Sequence, residues 1–296
     1  VTRVSESGQK LEVMVDAKEE RYSEVILKGE QPEPEPEPDP QPEPDPQPEP
    51  EPEQPPVDVA LAAELSTALA NATGGEIIRL KPGRYGGLSI RKRFTSPVYI
   101  VAADPKNRPV FTSIDIAKAA NVVIDGYVLD YTPLPEHAES FNPCSVTGSE
   151  DITLRNGLHD GGLAPAGNKL AGYAIGRGVF VMASTRVNVA ETEIRGFGRA
   201  GVFITVDDLI VAGNNVHDIR SDGFNFVEVR RVLIGSNWLH DFADRPSSDH
   251  GDAIQFWTAG TIFPSSEIEI HGNVIDIGDG AWQQSIFMRN ERVDQG

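Results

Sequence analysis

From Glu76 onward, short apolar runs alternate with polar residues and break every few positions at Gly, Asn or Asp. A period of two marks strands buried on one face, and breaks this frequent leave no room for long helices. The runs also repeat. VNVAETEIRG begins at Val187, LIVAGNNVHD at Leu209, VLIGSNWLHD at Val232 and IEIHGNVIDI at Ile268. The steps are 22, 23 and then 36 residues, the last lengthened by an insertion around RPSSDHG. ITLRNGLHD at Ile152 and VVIDGYVLD at Val122 read as earlier members with longer insertions. Strands recurring in the low twenties predict a parallel β-solenoid, in which each coil buries its apolar face against the next. A leucine-rich repeat would need a leucine consensus and a helical half, and neither is present.

Ahead of the repeats, DVALAAELSTALANA (residues 58–72) spaces Leu61, Leu65, Ala68 and Leu69 as one helical face. Asp58 is its expected N-cap, and Gly74-Gly75 stop it. A helix here would cover the first coil, whose open end exposes core and strand edges. EIIRLKPGRYGGLSI then predicts two strands turning at Pro82-Gly83.

Composition separates the rest of the chain. Its net charge is −19, but residues 30–56 hold ten acids and thirteen prolines, so the remainder carries about −9. Proline at every second position removes donors and fixes φ, which predicts an extended polyproline II linker. Residues 1–29 contain LEVMV at Leu11 and SEVIL at Ser23, two β-rich runs. Two strands alone are marginal in water, so this small anchor is expected to fold against a partner or in a homo-oligomer. The expected organisation is therefore an anchor at 1–29, a linker at 30–56 and a β-helix at 57–296.

No basic stripe is present to release phosphate counterions, which argues against nucleic-acid binding. No apolar run approaches the ~18 residues of a membrane span, and the N-terminus lacks a signal-peptide plan, so membrane insertion is not expected. The lone Cys144 excludes an intramolecular disulfide framework and is expected to be buried. The chain ends at ERVDQG directly after a coil strand, which leads us to expect further coils or another chain over that end.

The helix followed by GEIIRLKPGRY and the asparagine-bearing coils resemble right-handed parallel β-helix proteins of the pectate-lyase-like superfamily, over residues 57–296. That superfamily includes polysaccharide lyases, hydrolases, mannuronan C5-epimerases and phage tailspikes. The stretch DHGDAIQFWTAGTIFPSSEIEIHGNVID with QSIFMRNE resembles a bacterial β-helix group. The segment TRVSESGQKLEVMV with RYSEVIL resembles short R-V-S/T…E-V motifs of phage virion proteins. Anchor, stalk and sugar-facing solenoid is the plan of a virion fibre. The polygalacturonase set of NTD, DD, GHG and RIK is absent in order, as is the DPHD-type motif of the epimerases, so the resemblance implies no single chemistry.

Aligning AGVFI at Ala200, DGFNF at Asp222, DAIQF at Asp252 and QSIFM at Gln284 sends Val202, Ile204, Phe224, Phe226, Ile254, Phe256, Ile286 and Met288 inward. The outward rows are then Phe203, Asn225, Gln255, Phe287 and Thr205, Val227, Trp257, Arg289. Amides bond hydroxyls in two directions, indole stacks on a sugar face and guanidinium pairs a carboxylate, so Asn225, Gln255, Trp257 and Arg289 are the candidate polysaccharide contacts. Asp222 and Asp252 fall on adjacent coils, about 4.8 Å apart. They could divide acid and base work, hold Ca²⁺, bind sugar, or simply cap their own turns. His250, between Asp249 and Asp252, is a candidate base or proton donor. His159, His217 and His240 recur in an N-x-Φ-H-D pattern, and Asn214, Asn237 and Asn273 align as a ladder, which favours structural roles for both sets. The expected function is a virion spike or fibre. Residues 1–29 would dock on other virion proteins, and the solenoid would bind, and in one reading degrade, host surface polysaccharide. A secreted lyase, hydrolase or epimerase and a non-enzymatic adhesin are the alternatives.

Overall fold

The computed structural model describes residues 2–4, 10–12, 55–246, 249–281 and 283–294. Contacts divide the chain into two units, residues 1–50 and 51–296. In the first, Thr2–Val4 pairs antiparallel with Lys10–Glu12. The strand expected at Leu11 is thus met at its first two residues, while the run at Ser23 and the expected linker up to Gln54 lie outside the described residues.

The second unit is a right-handed parallel β-helix of three sheets. One sheet runs through Arg84–Ile90, Val110–Ala117, Cys144–Thr147, the first halves of Arg177–Ala190 and Arg199–Ala212, then Phe224–Val227, Asp252–Trp257 and Gln284–Met288. A second takes Ala120–Asp125, Glu150–Arg155, the second halves of the two long strands, Arg230–Gly235 and Ser266–His271. The third is narrow: Val128–Asp130, Leu158–Asp160, Glu193–Arg195, Asn215–His217, Trp238–His240 and Val274–Asp276. The repeats seen in the sequence are the second and third sheets with the turn between them.

Coils close because left-handed residues sit at equivalent corners. Gly213, Ser236 and Gly272 all have positive φ, and each precedes an asparagine that points into the turn. Asn214 Nδ2 donates to Asn237 Oδ1 at 2.9 Å, and Asn237 Nδ2 to Asn273 Oδ1 at 2.8 Å. The same oxygens accept the backbone N–H of the preceding coil's asparagine, at 3.0 Å in both cases. The expected ladder is present, and it satisfies polar groups that burial would otherwise orphan.

Inside, apolar rows stack coil on coil. Phe203, Phe226 and Phe256 form a parallel ring stack with centroids 5.1 and 4.9 Å apart. Cys144 is buried, and burial pushes its thiol up to about 12. The Ala62–Asn71 helix packs its buried Leu65 over the first coils. Its start differs from expectation: Asp58 lies in the strand Val57–Val59 and pairs with Arg79 at 2.8 Å. Leu61 is the N-cap, and the Glu64 carboxylate accepts the N–H groups of Ala60 and Leu61 at 2.8 and 3.2 Å. A strand pairing with the next coil outweighed a single side-chain cap. No helix among the described residues is long and apolar enough to cross a membrane.

Candidate functional site

The long connections run from the third sheet back to the first. Residues 131–143 and 161–176 are such loops, as are the described parts of a third, 241–246 and 249–251, and they meet beside the N-terminal ends of the first-sheet strands. Arg220, 1% exposed, ties them together. Its Nε donates to the Ala174 carbonyl at 2.8 Å, and its two terminal nitrogens pair with Glu139 and Asp249. One buried guanidinium therefore fixes three loops.

Between these loops and the sheet lie the sequence-predicted acids. Asp222 and Asp252 stand on adjacent coils, each 1% exposed, and His250 leans over them from its loop. One donor atom of each lies within 4.8 Å of the others. Asp222 Oδ1 accepts the backbone N–H of Asp252 at 3.1 Å, so it does cap the neighbouring coil. Its Oδ2 accepts Arg199 Nε at 3.0 Å and Asn225 Nδ2 at 3.2 Å. Asn225 Nδ2 also donates to Gln255 Oε1 at 2.6 Å, and Gln255 Nε2 to Asp252 Oδ2 at 2.7 Å. His250 Nε2 lies 3.5 Å from Gln255 Nε2 and 3.7 Å from Asp252 Oδ2. Two buried oxygens in this network, Asp252 Oδ1 and Asn225 Oδ1, accept no hydrogen bond.

Burial raises the Asp252 carboxyl above the usual Asp range, and the charge of Asp222 raises it further. Asp222 has the Arg199 guanidinium directly on it and Asp252 does not. The two carboxylates therefore differ in their partners, Asp222 bonding a guanidinium and Asp252 an amide. Backbone room is part of the design. A Cβ on Gly251 would fall 1.8 Å from Gln283 Oε1, so a larger residue there would have to displace the Gln283 side chain. Calcium fits this donor set poorly: it takes six to eight oxygens, and here two carboxylates are joined by an imidazole nitrogen.

The outward rows are confirmed over three strands and corrected on a fourth. Asn225 pairs with Gln255 and Gln255 with Phe287, while Val227 pairs with Trp257. On the preceding coil the register is one residue off the expected alignment: Val202 pairs with Asn225 and Phe203 with Phe226. A slip of one exchanges the faces. Phe203 is therefore a core residue, while Val202 and Ile204 belong to the outward rows. Ile286 and Met288 continue the inward rows but are exposed, because no described coil covers their strand. Asn225 faces outward yet is only 3% exposed, its amide spent on Asp222 and Gln255. Trp257 is half-buried on the open face, and the Arg289 side chain is 64% exposed, 3.5 Å from Glu291. The loop residues Arg199, Arg220 and Glu139 were not anticipated. The signal lay in arginines recurring just before the strand runs, as in RGVF at Arg177, RAGVF at Arg199 and RSDGFNF at Arg220.

The recurring histidines are structural. His159 is fully buried between the Tyr127 hydroxyl and the Gly178 carbonyl, and burial pushes it down to about 4. His217 and His240 stack at 5.1 Å on successive coils, each beside its own aspartate.

This architecture is that of a right-handed parallel β-helix. Solved structures similar to the chain include the pectate lyase Pel9A, with a TM-score of 0.40, 14% identity, and coverage of 64% of this chain and 56% of that one. An alginate lyase from Paenibacillus sp. str. FPU-7 gives a TM-score of 0.35 at 15% identity, covering 79% of this chain and 98% of that one. Geobacillus virus E2 ORF18 gives 0.27 at 10% identity, covering 75% and 61%. The chain spans just over half the length of the pectate lyase. No family model matches the chain, and no curated protein matches it in sequence.

Proposed function

We propose that the β-helix binds a polysaccharide along its first sheet and cleaves it by acid–base chemistry at Asp222, Asp252 and His250. The observation that carries this reading is the unequal buried carboxylate pair, which opens under three loops fixed by Arg220 onto a face bearing Gln255, Trp257 and Arg289. Asp252, whose pKa is raised by burial and by the charge of Asp222, is the proton donor to a leaving oxygen. His250, exposed on its loop and 3.7 Å from Asp252 Oδ2, is the base. Arg289 gives the face a preference for acidic sugars, and Trp257 supplies a stacking surface.

We place this activity on a virion spike or fibre, with residues 1–29 as the docking unit and the proline tract as the stalk. The virion-like N-terminal motif and the order of the three segments support that placement. Incubating the full chain with acidic and neutral bacterial surface polysaccharides, and following chain length by size-exclusion chromatography, tests the reading. Depolymerisation by wild type that Asp252→Asn abolishes, with binding retained, is the expected result. Binding without cleavage by any wild-type preparation would make the protein an adhesin.

A further inference from the structure

We infer that Asp222, Asp252 and His250 also form a binding site for a divalent first-row transition cation of the zinc type, in preference to calcium. This goes beyond the polysaccharide reading and does not depend on it. One donor atom from each residue already lies within 4.8 Å of the others. Donors around a zinc ion stand about 2.0–2.2 Å from it and hence no more than ~4.4 Å apart. His250 Nε2 is already 3.7 Å from Asp252 Oδ2, and its side chain, 72% exposed, has room to adjust.

The independent sign of a ligand is Asp252 Oδ1. It is buried, accepts no hydrogen bond, and belongs to a side chain only 1% exposed. An anionic oxygen left so costs free energy that a cation would recover. The remaining atoms of the cluster are spent on orientation, as in the outer shell of metal sites. Gln255 holds Asp252 Oδ2, while Asn225 and Arg199 hold Asp222 Oδ2. An imidazole with two carboxylates suits zinc, manganese or nickel, whereas calcium asks for more oxygens than the cluster offers.

The test is calorimetric titration of the chelator-stripped full chain with ZnCl₂, MnCl₂ and CaCl₂, with no sugar present. One equivalent of Zn²⁺ should bind in the micromolar range, with Ca²⁺ at least ~100-fold weaker. His250→Ala should weaken Zn²⁺ at least ~10-fold without changing the melting temperature, because that side chain is exposed. Asp252→Asn should do the same to binding, and His217→Ala, on the third sheet, should leave it unchanged. Absence of saturable Zn²⁺ binding would overturn the inference. So would Zn²⁺ binding that survives both His250→Ala and Asp252→Asn, or Ca²⁺ binding tighter than Zn²⁺. The two readings of the centre separate in a cleavage assay. A bound cation occupies the side chains that the acid–base reading needs free and should suppress cleavage; cleavage that instead rises with Zn²⁺ retires the acid–base assignment and leaves the cation site standing.

Discussion

Two polar networks run across the same coils, and they are built to opposite rules. At the turn into the third sheet, Asn214, Asn237 and Asn273 give every amide nitrogen and oxygen a partner, on side chains and backbone of adjacent coils. On the first sheet, Asp222, Asn225, Gln255 and Asp252 also bond coil to coil, but two buried oxygens stay without a donor and burial raises one carboxyl above the usual Asp range. The first network resembles a backbone ladder continued by side chains. The second retains unspent capacity, and that is what a site for an exchangeable ligand requires. Hydrogen-bond accounting, more than polarity, tells scaffold from site in this solenoid.

The comparison breaks first if the ladder proves dispensable. Asn237→Ala removes the acceptor of Asn214 N and Nδ2 and the donor to the Val211 carbonyl. At 1–3 kcal/mol for each orphaned buried group, the loss should be about 3–5 kcal/mol, read as a drop of ~10 °C or more in melting temperature. Phe203→Ala should cost a similar ~3–5 kcal/mol because the ring lies in the core stack. Val202→Ala, on the outward row, should cost under about half as much. Equal costs at 202 and 203 in a denaturant series would restore the rejected register.

Asp252→Asn should behave in the opposite way to Asn237→Ala. It should lower any cleavage rate by roughly 10²–10⁴-fold while leaving stability unchanged or higher at neutral pH, since it removes a buried charge at constant shape. The pH dependence gives the sign. Asp252 has a raised folded-state pKa, so its contribution to stability is present below the ordinary Asp range and is lost as pH rises through the raised value. The variant should therefore gain on metal-free wild type between about pH 4 and neutrality. A constant difference across that range would mean that Asp252 is not perturbed.

The coils could be read from sequence because their apolar faces must recur to stack, and the 23-residue step from Leu209 to Val232 is the true register. The error at Phe203 came from aligning Gly201 with Gly223, which imposes a step of 22; the pairing of Gly201 with Phe224 keeps 23. Glycines mark close approaches set by local neighbours, whereas apolar rows report the stacking itself. The acids and His250 were visible because they flank strand starts on adjacent coils. Their loops were not, since an insertion has no period, and Glu139 and Arg220 meet across 81 residues of sequence. The helix start was misplaced for a related reason: capping preference is local, and the pairing of Val57–Val59 with Ile77–Leu80 is not.

The smallest effects belong to the open face, and they test whether it is a binding surface at all. Trp257 shares its row with Val227, and the exposed Arg289 follows the strand paired with Phe256. Neither sits in the satisfied ladder or the orphaned network, so neither should matter to folding. Stacking on one indole and a water-excluded arginine–carboxylate pair are each worth on the order of 1 kcal/mol. Trp257→Ala and Arg289→Ala should therefore each weaken polysaccharide binding by several-fold, with melting temperatures within about 1–2 °C of wild type. Arg289→Ala should lose more on an acidic polymer than on a neutral one, and rising salt should erase that difference. If both variants bind as wild type does while Asp252→Asn still abolishes cleavage, the polymer does not cross this part of the sheet. It would then run between the loops, over Arg177 and Arg199, where the next substitutions belong.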